Sequence, residues 1–129
     1  MVFRIISGKF KGFTFVEVMV VLAIVALLLT IALPRYFSGL ERAKEAILHQ
    51  DLMTMRDAID HYHTDKGSYP YSLEALVQEK YLRSIPVDPI TELADTWISV
   101  PLPDYSIGVY DIKSGAEGVA LDGSAYIDW

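Results

Sequence analysis

Lys11-Gly12-Phe13-Thr14-Phe15-Val16-Glu17 leads straight into Val18-Met19-Val20-Val21-Leu22-Ala23-Ile24-Val25-Ala26-Leu27-Leu28-Leu29-Thr30-Ile31-Ala32-Leu33, and this junction decides the fold. From Val18 to Leu33 only Thr30 has a polar side chain, so a helix built from this run asks for hydrocarbon around it. Residues 13–33 come to about 21, close to the ~20 that cross a bilayer. Glu17 stands at the mouth of the run. An ionised carboxylate in hydrocarbon costs several kcal/mol, and such groups are normally paired and functional. Glu17 therefore calls for a partner.

Gly12-Phe13-Thr14-Phe15-Val16-Glu17 resembles the processing site of type IV prepilins and of type II secretion pseudopilins. In that family a membrane peptidase cuts after the glycine, and the new N-terminal residue is N-methylated. The resemblance implies Gly12 as the cleavage-site glycine, Phe13 as the mature, methylated N-terminus and Glu17 as the family's glutamate. Residues 1–12 carry Arg4, Lys9 and Lys11 and no acid, which keeps that end cytoplasmic by the positive-inside rule. Two other readings explain less. A secretory signal needs a shorter apolar core and a small-residue cleavage site, whereas Pro34-Arg35-Tyr36 follows this run. A plain single-pass anchor accounts for the hydrophobicity but not for Glu17 or the Gly-Phe junction.

At 129 residues the chain has room for one small domain beside the membrane segment. The 12-residue leader holds three of the 11 cations, which leaves eight against 17 acids and a net charge of −9. So acidic a product lacks the clustered Lys and Arg that phosphate backbones require, so no nucleic-acid partner is expected. There is no cysteine, hence no disulfide framework and no thiolate metal site. Within the family, pilins often close their C-terminal region with a disulfide and major pseudopilins generally do not.

Pro34 lacks a backbone N–H and should kink the helix near its membrane exit. Beyond it, Leu40, Ala43, Ile47, Leu52, Met55, Ile59 and Tyr62 step by three or four, apart from one step of five between Ile47 and Leu52. This is the period of an amphipathic helix, which should end between His63 and Gly67. If residues 13–64 form one rod, it spans about 78 Å at ~1.5 Å per residue. The apolar stripe needs a cover. Ser72 should cap a short helix whose buried face is Leu73, Leu76, Val77 and Tyr81, with Glu74 near its start and Lys80 near its end. The stretches 96–100, 105–112 and 124–129 read as the strands of a small antiparallel meander packed on the long helix.

Gly67-Ser68-Tyr69-Pro70, the Leu73-Glu74-Ala75-Leu76-Val77 helix and Tyr81-Leu82-Arg83-Ser84-Ile85-Pro86-Val87-Asp88-Pro89 resemble the periplasmic region of major type II secretion pseudopilins. With the N-terminal motif the likeness covers roughly residues 8–92. Beyond that point the chain departs, reading Ile90-Thr91-Glu92-Leu93-Ala94-Asp95-Thr96-Trp97 where the family has Trp-Gly-Asn-Pro-Tyr or similar. Major pseudopilins commonly hold calcium in the loop before the last strand. The equivalent stretch offers Glu117 and Asp122, with Asp128 and Ser114 nearby. The family's Ala-Asp-Gly is here Ala116-Glu117-Gly118, and a later family aspartate is replaced by Tyr126. The expectation is a solvated acidic loop, and no metal is assigned.

His61 and His63 are two apart, which on a helix places them on different faces, and His49, His61 and His63 read as surface residues. No Ser-His-Asp arrangement with an oxyanion loop stands out, and no Gly-x-x-x-x-Gly-Lys-Ser/Thr phosphate loop occurs. Tyr69, Tyr71, Tyr81, Tyr105, Tyr110 and Trp129 read as core and seam residues. Together these features imply an α+β, type IV pilin-like fold, with a long N-terminal helix, half membrane and half amphipathic, on a small antiparallel sheet. The expected organisation is a leader at 1–12, a transmembrane assembly helix at 13–35 and a periplasmic globular domain at 36–129.

The resemblance implies a non-enzymatic subunit of the bacterial inner membrane that polymerises through its N-terminal helix into a periplasmic pseudopilus driving protein secretion. Its implied partners are further copies of itself, minor pseudopilins, the prepilin peptidase, an inner-membrane platform protein, an assembly ATPase and the lipid bilayer. The alternatives are a surface pilus subunit for adhesion, motility or DNA uptake, and a membrane-anchored binding domain that never polymerises.

Overall fold

The computed structural model describes every residue except 1, 4–7, 9, 10 and 105. The leader cations Arg4 and Lys9, and Tyr105 at the head of an expected strand, lie outside the described residues. The rest falls into two compact units, residues 1–38 and 39–129, considered separately.

Helix α1 runs Phe15–Lys66 with Pro34 inside it. It stops where the sequence places the break. Gly67 takes a left-handed φ of 72°, and its N–H donates to the His63 carbonyl at 2.8 Å, which caps an otherwise unpaired helix-end carbonyl. Helix α2 is Leu73–Gln78, and the Ser72 hydroxyl accepts from the Ala75 N–H at 3.3 Å, the expected N-cap. Leu73, Ala75 and Leu76 are its buried residues. Lys80 stands past its end in left-handed backbone, φ 63°.

The sheet has two strands where the sequence suggests three. Strands β1 (Ile98–Pro101) and β2 (Val109–Lys113) pair antiparallel, Ser99 opposite Ile112, with a bulge at Val100/Pro101. The third expected strand is a single Val119–Ala125 bridge followed by a 3-10 turn, Tyr126–Asp128. Packing explains the change. Residues three apart eclipse in a 3-10 turn, which brings the Tyr126 and Trp129 rings to 5.2 Å edge to face. A strand would turn these two side chains to opposite faces.

The core of the 39–129 unit forms on one face of α1. Leu48, Leu52, Met55 and Ile59 are at most 1% exposed, and they join Leu76, Trp97, Ile112 and Tyr126 in one cluster. Ile47, expected in this stripe, is 51% exposed. The step of five between Ile47 and Leu52 therefore marks a change of face. Counted from Leu48, the buried row steps four, three and four. Tyr71, expected in the core, is also exposed.

Polar side chains tie the cover to the helix. The Arg56 guanidinium donates to Asp111 at 2.8 Å, to the Ile112 carbonyl at 2.9 Å and to the Trp129 main-chain oxygen at 2.6 Å. Glu45 accepts from the Leu121 N–H and the Tyr126 hydroxyl. Asp88, between two prolines, is fully buried. Its carboxylate accepts from the Ile90 and Thr91 N–H groups and from the buried Ser114 hydroxyl, so it pins the 86–93 turn to the segment after β2. Gly115 follows directly, where a Cβ would collide with the Thr96 carbonyl.

Alanine at Met55 or Ile59 should lower the stability of this unit by about 2–5 kcal/mol, the range for large-to-small core changes. Ile47→Ala should stay within about 0.5 kcal/mol, as exposed positions do. Urea midpoints of the three variants check the assignment of faces, and equal losses at Ile47 and Ile59 would refute it.

Asp51 gives a second test. Burial, and then the nearby Asp88 charge, hold its carboxyl above the ordinary carboxylate range. A group raised in the folded state contributes stability at low pH and loses it as pH rises through the folded value. Asp51→Asn should therefore raise the urea midpoint near pH 7, with the gain shrinking towards about pH 3. A gain of equal size at both pH values would mean that charge is not the cause.

Candidate functional site

The candidate site is the start of α1, where an apolar helix meets its carboxylate. Phe13, Phe15 and Val16 are exposed, as are the side chains that follow through Leu33. Within the 1–38 unit, taken by itself, no described residue covers this surface. The Thr14 N–H donates to a Glu17 carboxylate oxygen at 2.8 Å, and the Glu17 N–H donates to the Thr14 hydroxyl at 3.2 Å. The Val18 N–H donates to the Thr14 carbonyl at 3.2 Å, which begins the helical ladder.

Thr14-Phe15-Val16-Glu17 is thus a reciprocal capping box, in which threonine and glutamate satisfy two of the free donors at a helix start. The carboxylate also lies at the positive end of the helix dipole. Sequence reasoning isolated Glu17 but missed Thr14, although a threonine three residues before a glutamate was the legible signal. A carboxylate has about four lone-pair sites. One N–H leaves room for a further donor.

The loop singled out for calcium is arranged differently from a ligand cage. Glu117 and Asp128 are exposed. One Asp122 carboxylate oxygen accepts from the Ser124 N–H at 2.9 Å and hydroxyl at 2.6 Å, and the Ser124 hydroxyl above all holds its carboxyl below the ordinary range. Ser114 is turned into the core towards Asp88. Among the described residues no group of three or more His, Asp or Glu side chains is placed to hold a metal.

The histidines serve elsewhere. His49 stacks on Trp129 at 3.8 Å between ring centroids, His63 stacks on Tyr69 at 4.1 Å, and the exposed His61 ring meets the Asp57 carbonyl. Tyr69, Tyr81 and Trp129 are half-buried seam residues, and Tyr110 is more exposed. Burial, with the hydrogen bond to Glu45, pushes the Tyr126 hydroxyl up.

A helix long and apolar enough to cross a membrane, a small antiparallel sheet and a capped glutamate just inside the helix define a pilin-like subunit. Comparison with known proteins agrees. Residues 8–33 match the prokaryotic N-terminal methylation motif. The chain is 33% identical over 95 residues to type II secretion system core protein G of Pseudomonas aeruginosa, covering 61% of this chain and 67% of that protein. It is 30% identical to core protein G of Escherichia coli K12 over 87% of this chain and 86% of the relative. The figures for the Vibrio cholerae protein are 31%, 88% and 90%. A fimbrial protein, EcpC of Eikenella corrodens, is 29% identical over 88% of this chain and 78% of its own length. No solved structure matches. The chain belongs to the type II secretion system core protein G family, the major pseudopilins. The apolar helix and the methylation motif fit a single-pass, membrane-anchored protein of a secretion system.

Proposed function

We propose that this chain is the bulk subunit of a periplasmic fibre that drives type II protein secretion, stored in the inner membrane as a monomer and added to the fibre through α1. The observation that carries this reading is Glu17, a carboxylate at the head of an exposed apolar helix. Among the described residues its hydrogen-bond donor is a single backbone N–H, that of Thr14. Cleavage between Gly12 and Phe13 by the prepilin peptidase creates a cationic amine four residues before it. In a bundle of such helices, the methylated Phe13 amine of one copy takes the free acceptor sites of a neighbour's Glu17.

A buried ion pair of this kind adds little net stability. An unpaired buried charge costs about 3–5 kcal/mol, so the pair penalises wrong register. Pro34 has a role in the same step. It removes the N–H that would bond the Thr30 carbonyl, so α1 can kink or open there as the subunit leaves the membrane. The partners that follow from this reading are further copies of the chain, minor pseudopilins, a platform protein and an assembly ATPase. The subunit performs no catalysis of its own. The globular unit 39–129 faces the periplasm.

Two measurements test the proposal. Intact mass of the chain extracted from peptidase-competent membranes should correspond to a start at Phe13 carrying one methyl group. A start at Met1 would refute processing. Glu17→Gln should separate storage from assembly, because glutamine keeps the capping box but has no charge for the neighbour's amine. Membrane abundance should match the parent, while fibre yield and secretion are lost. Normal fibres from Glu17→Gln would show that the charge has no assembly role.

A further inference from the structure

The apolar positions of α1 beyond the membrane fall on two faces. Leu48, Leu52, Met55 and Ile59 are buried in the core. Leu40, Ala43 and Ile47 form a separate row at steps of three and four; all three are exposed, and no described residue of the 39–129 unit covers them. Lys44 lies four residues after Leu40 and three before Ile47, hence on the same face, and forms no ion pair among the described residues.

The acids of this stretch serve other contacts. Glu45 holds Leu121 and Tyr126, the Glu41 charge reaches Tyr126, and the half-buried Asp51 lies near Asp88. In a unit of 16 acids and seven cations, this row is apolar and basic. Five charged residues between 35 and 45 exclude it from hydrocarbon. Lipid therefore does not cover it.

A matching surface lies elsewhere on the same unit. Val119 and Leu121 are 65% and 55% exposed on the turn closed by the Val119–Ala125 bridge, with the exposed acids Glu117 and Asp122 beside them. That turn is apolar and acidic. It is fastened to α1 through Glu45, and Ile47, two residues on, points about 200° around the helix from Glu45. The two patches thus face away from each other and cannot meet within one molecule. Complementary but different patches give a heterologous contact, which propagates as an open helical array when its rotation does not close.

We propose that the Leu40–Ala43–Lys44–Ile47 row of one copy docks on the Glu117–Asp122 turn of a second copy, with Lys44 facing Glu117. This contact would carry the fibre interface from the membrane helix into the globular units, and it rests on the fibre reading given above.

The full chain has no cysteine, so a designed pair reports cleanly. Ile47→Cys combined with Val119→Cys should give a ladder of disulfide-linked multimers from oxidised fibres, because a disulfide needs Cα atoms about 4.4–6.8 Å apart. Each single variant should give no ladder. Lys44→Glu and Glu117→Lys should each lose fibre while the monomer stays abundant in the membrane, and the combined exchange should restore it. Fibres from Lys44→Glu at parent yield, or double-cysteine fibres without a ladder or with dimers alone, would overturn this inference and leave the fibre reading standing. A parent chain that builds no fibre would overturn both.

Discussion

A two-stranded sheet is marginal in water by itself, and a six-residue helix is far below the ~12–15 residues an isolated helix needs. Neither β1–β2 nor α2 has a reason to exist apart from the apolar edge of α1 at Leu48, Leu52, Met55 and Ile59. Burying that edge is the condition on which the 39–129 unit depends. Leu76 comes to it from α2, Ile112 from β2, Trp97 from the strand approach and Tyr126 from the final turn. Arg56 and Glu45, on flanking positions of the same helix, then fix the direction of each covering segment by charged hydrogen bonds. Apolar contact supplies the attraction, and these polar ties select one arrangement of the cover.

The same helix carries an opposite solution at its other end. Its first turns expose apolar side chains in every direction, and the single carboxylate is kept local by Thr14. The capping box satisfies one acceptor site of the Glu17 carboxylate and leaves capacity for a further donor. On the fibre reading proposed above, Glu17 would serve the stored and the assembled state without refolding of the helix.

Asp88 was hidden for a different reason. In the sequence it is an acid between prolines, which reads as turn chemistry and solvent exposure. Its burial is compensated by two turn N–H groups and by Ser114, 26 positions later, a partner that no local spacing reveals. The terminal segment misled for a related reason. Ser124-Ala125-Tyr126-Ile127-Asp128-Trp129 has strand composition, but β propensity mostly reports fit to a half-buried pleat. Here the neighbour is α1, and the ring pair Tyr126–Trp129 with Arg56 on the Trp129 main-chain oxygen favours a 3-10 turn.

The helix junction, the cap at Ser72 and the stop at Gly67 were determined by the sequence alone, because each depends on residues within about four positions of one another, and so was the membrane-length run, because it is one uninterrupted stretch of about 20 residues. The direction of the core was not. Ile47 and Leu48 are adjacent, equally apolar and equally good helix-face residues, and only the arrival of α2, β2 and the final turn on one side of α1 decides that Leu48 is buried and Ile47 exposed. Periodicity locates a stripe but does not choose between two that overlap, since that choice is made by long-range contacts whose partners lie tens of residues away.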